Sequence, residues 1–203
     1  MTISKGGGWG QPVEVPNGLR IAASDAELAA MLSDDTGLPV AASGGDLFRT
    51  LGSRPVGDRD ELMAVPVDLI EISLDGKHAA VAVAHVVARL PAVRGGVWRG
   101  PVLAVMNAEF IGDFDVAPRG HPNDGRVETF QVAASMSVRQ RWECRRRLRN
   151  ATHLPHPQIS TRSVRSETFE FDVALRVVVD GVDIGAARSI AVTVRPDAAV
   201  VHS

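Results

Sequence analysis

The chain has 203 residues, 45% of them apolar and 23% charged, with a formal net charge of −2. That is enough for one substantial core, and it gives no global attraction to nucleic acid or an anionic membrane. A single cysteine, Cys144, excludes an internal disulfide and a multi-cysteine metal site and fits a reducing compartment.

The first ten residues, MTISKGGGWG, hold one lysine and no apolar block of leader length. No later run approaches the ~18 uninterrupted apolar residues of a spanning helix. The expectation is a cytoplasmic protein whose first 18 residues are a flexible segment, with Trp9 as its anchor.

Residues 19–60 read as a small αβ fragment. Leu19–Ala23 is a predicted strand, and Ser24 with Glu27 has the form of a capping box opening a helix over 25–33. Gly37 ends it. Leu38–Ala42 is a second apolar run, followed by Gly44-Gly45-Asp46 and a short helix over 47–51. Strand, helix, strand, glycine turn and helix in succession predict a parallel unit.

Residues 61–203 change texture. Pro66–Ser73 and Lys77–Ala88 read as strands joined at Asp75-Gly76, a pair that favours a type I′ turn. Val97–Ala108 is a further apolar stretch, Arg126–Ala133 alternates, and a helix is predicted over 137–149. Phe169, Phe171, Val173, Leu175, Val177 and Val179 occupy every second position, which puts six apolar side chains on one sheet face. Ile190, Val192 and Val194 repeat the pattern beyond the Asp180–Asp183 turn, so an antiparallel hairpin is expected. The predicted fold class is α+β, mainly β: an antiparallel sandwich or open barrel with one inserted helix, preceded by the small αβ fragment.

Three stretches carry residue types suited to chemistry. Glycines after a strand let backbone amides approach phosphate, and Asp46 is placed to hold a divalent cation. The same turn also suits Asp46 as a plain helix cap. The segment from Asn107 to Gly125 is a long loop carrying Asp113, Asp115, Arg119, His121 and Asp124, oxygen-rich enough for a hard cation or simply bound up in Asx turns. The predicted helix bears Arg139, Arg141, Arg145, Arg146, Arg147 and Arg149 against Glu143 alone. It reads either as a solvated face or as a site for a lipid headgroup, a phosphorylated small molecule or an anionic membrane surface. Without tyrosine or a set of stacking aromatics, nucleic acid is not expected. The dispersed histidines complete no zinc motif, and the serines sit in no Gly-x-Ser-x-Gly elbow.

Taken in order, Gly44-Gly45-Asp46, Asn107, Ala117-Pro118, Asp124-Gly125 and Asp180-Gly181 resemble the landmarks of the diacylglycerol kinase and sphingosine kinase superfamily. The resemblance runs from about Gly44 to the C-terminus. It implies a nucleotide-binding α/β domain followed by a β-rich domain, with ATP and lipid in the cleft between them. Gly44, Gly45, Asp46 and Asn107 would then belong to the nucleotide site and Asp46 and Asp124 to Mg²⁺; Arg145, Arg146 and Arg147 are the lipid-headgroup candidates from the charge pattern of the helix itself. This chain departs from the pattern at Leu47 and Phe48, where the family has Gly-Thr, and at Val182, where it has a catalytic Glu. Asp183, one position on, is the remaining candidate for the catalytic carboxylate. Loss of general-base help is worth roughly 10²–10⁴-fold. The expectation is a truncated, catalytically degenerate lipid-kinase relative that binds a lipid, a phosphorylated ligand or a protein partner. The alternatives are an active ATP- and Mg²⁺-dependent lipid kinase completed as a homodimer, and an interaction module without ligand.

Overall fold

The computed structural model describes residues 10–33, 37–57 and 60–203. Trp9 and the stretch just before Gly37 lie outside them. One continuous, predominantly antiparallel sheet of eleven strands dominates. Regular structure begins inside the segment expected to be flexible: β1 (Gln11–Glu14) pairs with the start of β4.

The αβ fragment forms as the sequence predicts. β2 (Arg20–Ala22), α1 (Asp25–Ser33), β3 (Val40–Ala42) and α2 (Asp46–Thr50) follow one another, with β2 and β3 parallel. Ser24 Oγ accepts the Glu27 amide, while the Glu27 carboxylate reaches back to the Ala23 amide at 2.7 Å. The fragment is not a separate body. β3 also lies parallel to the far end of the last strand, Val40 opposite Val201, and Leu28, Val40 and Leu47 share a buried cluster with Val65, Val67 and Val201.

β4 (Glu61–Leu74) and β5 (Lys77–Ala82) form the predicted hairpin, with positive φ at both Asp75 and Gly76 as a type I′ turn requires. The run predicted to continue to Ala88 is interrupted at Val83-Ala84, and β6 (His85–Arg89) leaves to pair elsewhere. Residues 97–101 are likewise not strand. Two 3₁₀ turns, Ala92–Arg94 and Gly96–Trp98, precede β7 (Val102–Met106). A small hairpin of β8 (Phe110–Ile111) and β9 (Phe114–Asp115) stands apart from the main sheet. β10 (Val127–Val132), α3 (Val138–Leu148), β11 (Ile159–Val164), β12 (Ser166–Val179) and β13 (Val182–His202) complete the chain.

The sheet order is β1-β4-β13-β12-β6-β7-β10-β11, with β5 on β4 and β3 on β13. The β12 alternation holds at Phe169, Leu175, Val177 and Val179, which are buried, but Val173 is exposed. The cause is a register irregularity between Glu170 and Leu175, where five steps along β12 span two along β13 and Val173 is left without a β13 partner. β13 carries a second irregularity between Arg195 and Ala199. Buried Asp68 fixes it: Oδ1 accepts the Asp197 amide and Oδ2 the Gly125 amide, at 2.8 and 2.6 Å. The main core lies on the inner face of the long strands, around Ile70, Ile72, Leu103, Leu175 and Ile190.

Candidate functional site

The Gly44-Gly45-Asp46 turn faces an anion, and the anion belongs to the chain itself. The Asp25 carboxylate, from the first turn of α1, accepts the Asp46 amide at 2.6 Å and the Leu47 amide at 3.1 Å. Asp25 therefore caps α2, and Asp46 does not. Glycine is required at both preceding positions. A Cβ on Gly44 would stand 2.6 Å from the Ala23 carbonyl oxygen, and one on Gly45, at φ 99°, would strike the Asp25 carboxylate. Burial, only partly opposed by the two amides, pushes the Asp25 carboxyl up to about 6, and the charges of Asp180 and Asp46 add to it.

Freed from capping, Asp46 points the other way. Its Oδ2 lies 2.9 Å from His85 Nε2, and its Oδ1 accepts the Gly112 amide at 2.8 Å. Arg49, one turn along α2, donates to the Gly112 carbonyl and stacks over Phe110 at 3.8 Å. Together they clamp the β8–β9 hairpin onto α2. His85 is buried. Burial lowers its pKa, but the Asp46 hydrogen bond and the charges of Asp180, Asp46 and Asp25 together outweigh that, so the net shift is upward.

Asp180 explains why β6 begins where it does. Its carboxylate accepts the amides of Val83, Ala84 and His85 at 2.8, 3.0 and 2.9 Å. Those amides cannot then continue the β4–β5 ladder. The side chain is buried, and desolvation raises its pKa against the pull of these bonds. Asn107 is a second bracket: buried, its Nδ2 donates to the carbonyls of Asp68 and Val83 at 2.9 and 2.8 Å.

The structure regroups the sequence candidates. One ligand atom each from Asp25, Asp46 and His85 lies within 4.8 Å of the others, the one such convergence among the described residues. Asp124 is not in it. Its carboxylate accepts the Arg126 amide and lies near His121 and Asp68, and no described contact joins it to Asp46. Asp183 is exposed on the β12–β13 hairpin and bonds Arg176 at 2.6 Å; Val182 beside it is also exposed. The Gly185 amide, with Arg176, holds the Asp183 carboxyl below the ordinary range. Nothing in the sequence pattern singled out Asp25 or His85. Asp25 reads there as an ordinary acidic residue at a helix start.

Beside the network lies an apolar cavity of about 420 Å³. β6, β7 and β10 form its floor through Val87, Ala104 and Phe130, and α3 its roof through Cys144 and Leu148. His85 contributes to the wall nearest Asp46, and Arg89 and Arg145 are its charged lining residues together with Arg141. Arg145 stacks over Phe114 at 4.5 Å, while Arg146 and Arg147 point to solvent. Among the described residues no carboxylate pairs with buried Arg141. Its guanidinium donates to the carbonyls of Met136, Val97, Gly100 and Ala133, fastening the second 3₁₀ turn to α3. Cys144 also faces the cavity, and burial raises its thiol pKa despite Arg147 nearby. His153 separates this cavity from a more polar one of about 430 Å³. Burial lowers the His153 pKa, with Asp115 and the Val116 backbone acting weakly in the other direction.

No protein-family model matches the chain, and no curated protein is significantly similar to it. Solved structures do match. A putative diacylglycerol kinase from Bacillus anthracis str. Sterne superposes with a TM-score of 0.63 at 13% identity, over 90% of this chain and 76% of that one. A further crystal structure of a diacylglycerol kinase from the same organism gives 0.60 at 13%, over 90% and 74%. The chain has the diacylglycerol kinase fold, as its landmark residues anticipate.

Proposed function

We propose that this protein binds one lipid-like amphiphile in the apolar cavity and that its Gly-Gly-Asp turn does not take nucleotide phosphate. The observation that carries the second half is the Asp25 carboxylate seated on the Asp46 and Leu47 amides. A phosphate arriving there would meet a buried carboxylate and two more at Asp46 and Asp180, so like charges oppose it. Magnesium fits no better on the pair expected from sequence, since Asp124 is outside the convergence at Asp46; any cation at Asp46 would take Asp25 and His85 as its other donors. Val182 supplies no carboxylate where the resemblance places the base.

The cavity supports the first half. Its volume lies within the ~300–1,000 Å³ usual for small-molecule sites, and apolar walls with a few polar groups are their ordinary composition. Arg89 and Arg145 suit an anionic or phosphorylated head, with the tail against Val87, Ala104 and Phe130. The fold likeness to diacylglycerol kinases makes a lipid the natural class of ligand.

The test is thermal unfolding with two additions. A long-chain phosphatidic acid or fatty acid should raise the melting temperature, because a ligand bound only by the native state must do so. ATP with magnesium should leave it unchanged. A rise with ATP and magnesium that vanishes in Asp46→Ala would restore the kinase reading. No response to either would leave a module without ligand.

A further inference from the structure

The outer face of α3 and the 3₁₀ turns beside it form a surface that the cavity alone does not require. At 100° per residue, Val138, Arg149, Trp142, Arg145 and Arg146 fall within one arc of α3, flanking the inward stripe of Arg141, Leu148 and Cys144. Trp142 and Val138 are exposed there, at 52% and 50%. Arg141 pins the neighbouring turn to the helix through the Val97 and Gly100 carbonyls. That turn and the one before it carry Val97, Arg94, Arg99 and Val93, which is 95% exposed. Apolar side chains of this size are seldom left standing in water amid arginines without a use.

We infer that this face seats the protein on an anionic bilayer, with Val93, Val97, Val138 and Trp142 entering the headgroup layer. Charge complementarity selects that occupant. Arg94, Arg99, Arg139, Arg145, Arg146 and Arg149 surround the apolar residues, and the acidic side chain on α3 is Glu143, which already pairs with Arg139 at 3.5 Å. The chain as a whole is slightly acidic, so the attraction is local and orients the molecule. Tryptophan beside basic residues is a composition found at membrane interfaces. Trp142 is covered on one side by Arg146, 5.0 Å from its ring, which disfavours base stacking. The inference rests on the cavity reading in one respect: Val97 and Arg145 belong both to this face and to the cavity wall, so a bilayer-seated molecule would meet its amphiphile at the surface it lies on.

The experiment is sedimentation with phosphatidylcholine vesicles with and without 30% phosphatidylglycerol (a chosen composition, about physiological in charge). Binding is expected only with the anionic lipid and should weaken as salt rises. Reversing Arg145, Arg146 and Arg149 to Glu should cut it by at least about 100-fold, since each basic residue near the surface contributes roughly fivefold. Val93→Asp, at a fully solvated position, should reduce binding without disturbing the fold. Brominated acyl chains should quench fluorescence more in the native protein than in Trp142→Phe, which keeps Trp9 and Trp98. Reversal of Lys77 and Arg188, exposed residues on other elements, should change nothing. Equal binding to neutral vesicles, indifference to Val93→Asp and the Arg reversals, or capture of a second copy or an oligonucleotide without vesicle binding would overturn the inference. Ala104→Trp, which fills the cavity, separates the two ideas: it should abolish amphiphile uptake and leave vesicle binding intact. Uptake that persists where vesicle binding fails would leave the cavity reading standing alone.

Discussion

Asp180 lies 95 residues beyond His85, and its Oδ1 accepts the His85 amide at 2.9 Å. Two further amides join it, so one carboxylate from the β12–β13 turn sets where β6 starts and where His85 stands. His85 in turn meets Asp46. The Asp-Gly landmark thereby acts as a positioning element for His85, the partner of Asp46.

Replacing Asp180 by alanine should leave three buried amides without acceptors. Each bond to an ionised acceptor contributes about 1.5–3 kcal/mol, so a loss of at least ~3 kcal/mol is expected in denaturant unfolding. Asp183→Ala removes an exposed, solvent-screened ion pair and should cost far less. Equal losses at the two sites would contradict the bracket role.

The carboxylates around His85 set a direction for pH dependence. Asp25 in the folded protein titrates at about 6 against an ordinary 3.8. Between those values the folded state holds a proton that the unfolded chain has released, so stability falls as pH rises across that window. His85 is shifted above 6.5; the stability it contributes is complete below 6.5 and is lost as pH rises through its folded value. Both act in one sense. The melting temperature should therefore be several degrees higher at pH 5 than at pH 8, and Asp25→Asn should flatten the lower part of that slope.

Cys144 reports on the cavity. Its thiol is buried and shifted upward, so alkylation by maleimide at pH 7 should be slow relative to a free thiol. A bound amphiphile should slow it further, and Ala104→Trp should abolish that protection. Protection by ATP in place of the amphiphile would argue for a different occupant.

Arg141 is the fastening of the cavity roof. Arg141→Met keeps the stem but leaves four carbonyls without their donor, and about 3 kcal/mol or more should be lost. Hydrogen exchange should localise the loosening to residues 96–100 and 133–141. Uniform destabilisation without local change would count against that role.

The sequence made regular elements legible where one physical rule governed them. The α1 cap, the Asp75-Gly76 turn, the helix over 138–148 and the paired β12 and β13 all follow from short-range pattern. What it hid depends on distant groups. The break after Ala82 reflects Asp180, and exposed Val173 reflects a register shift that alternation cannot reveal. The Gly-Gly-Asp turn was visible, but its occupant was not, because Asp25 is 21 residues away from Asp46 and reaches it only through the parallel packing of the fragment. Asp46 and Asp124 look alike as motif residues, yet they belong to different networks.

Enzymes that fold over a nucleotide commonly swing one lobe against another about a few hinge residues. In this chain a single strand joins the αβ fragment to the β-rich part: β13 pairs with β12 and β4 along most of its length and with β3 at Val201 and His202. The αβ fragment and the β-rich part share a spine. Any swing of the αβ fragment against the rest of the sheet must bend or break that ladder, so the shared strand opposes a clamshell motion.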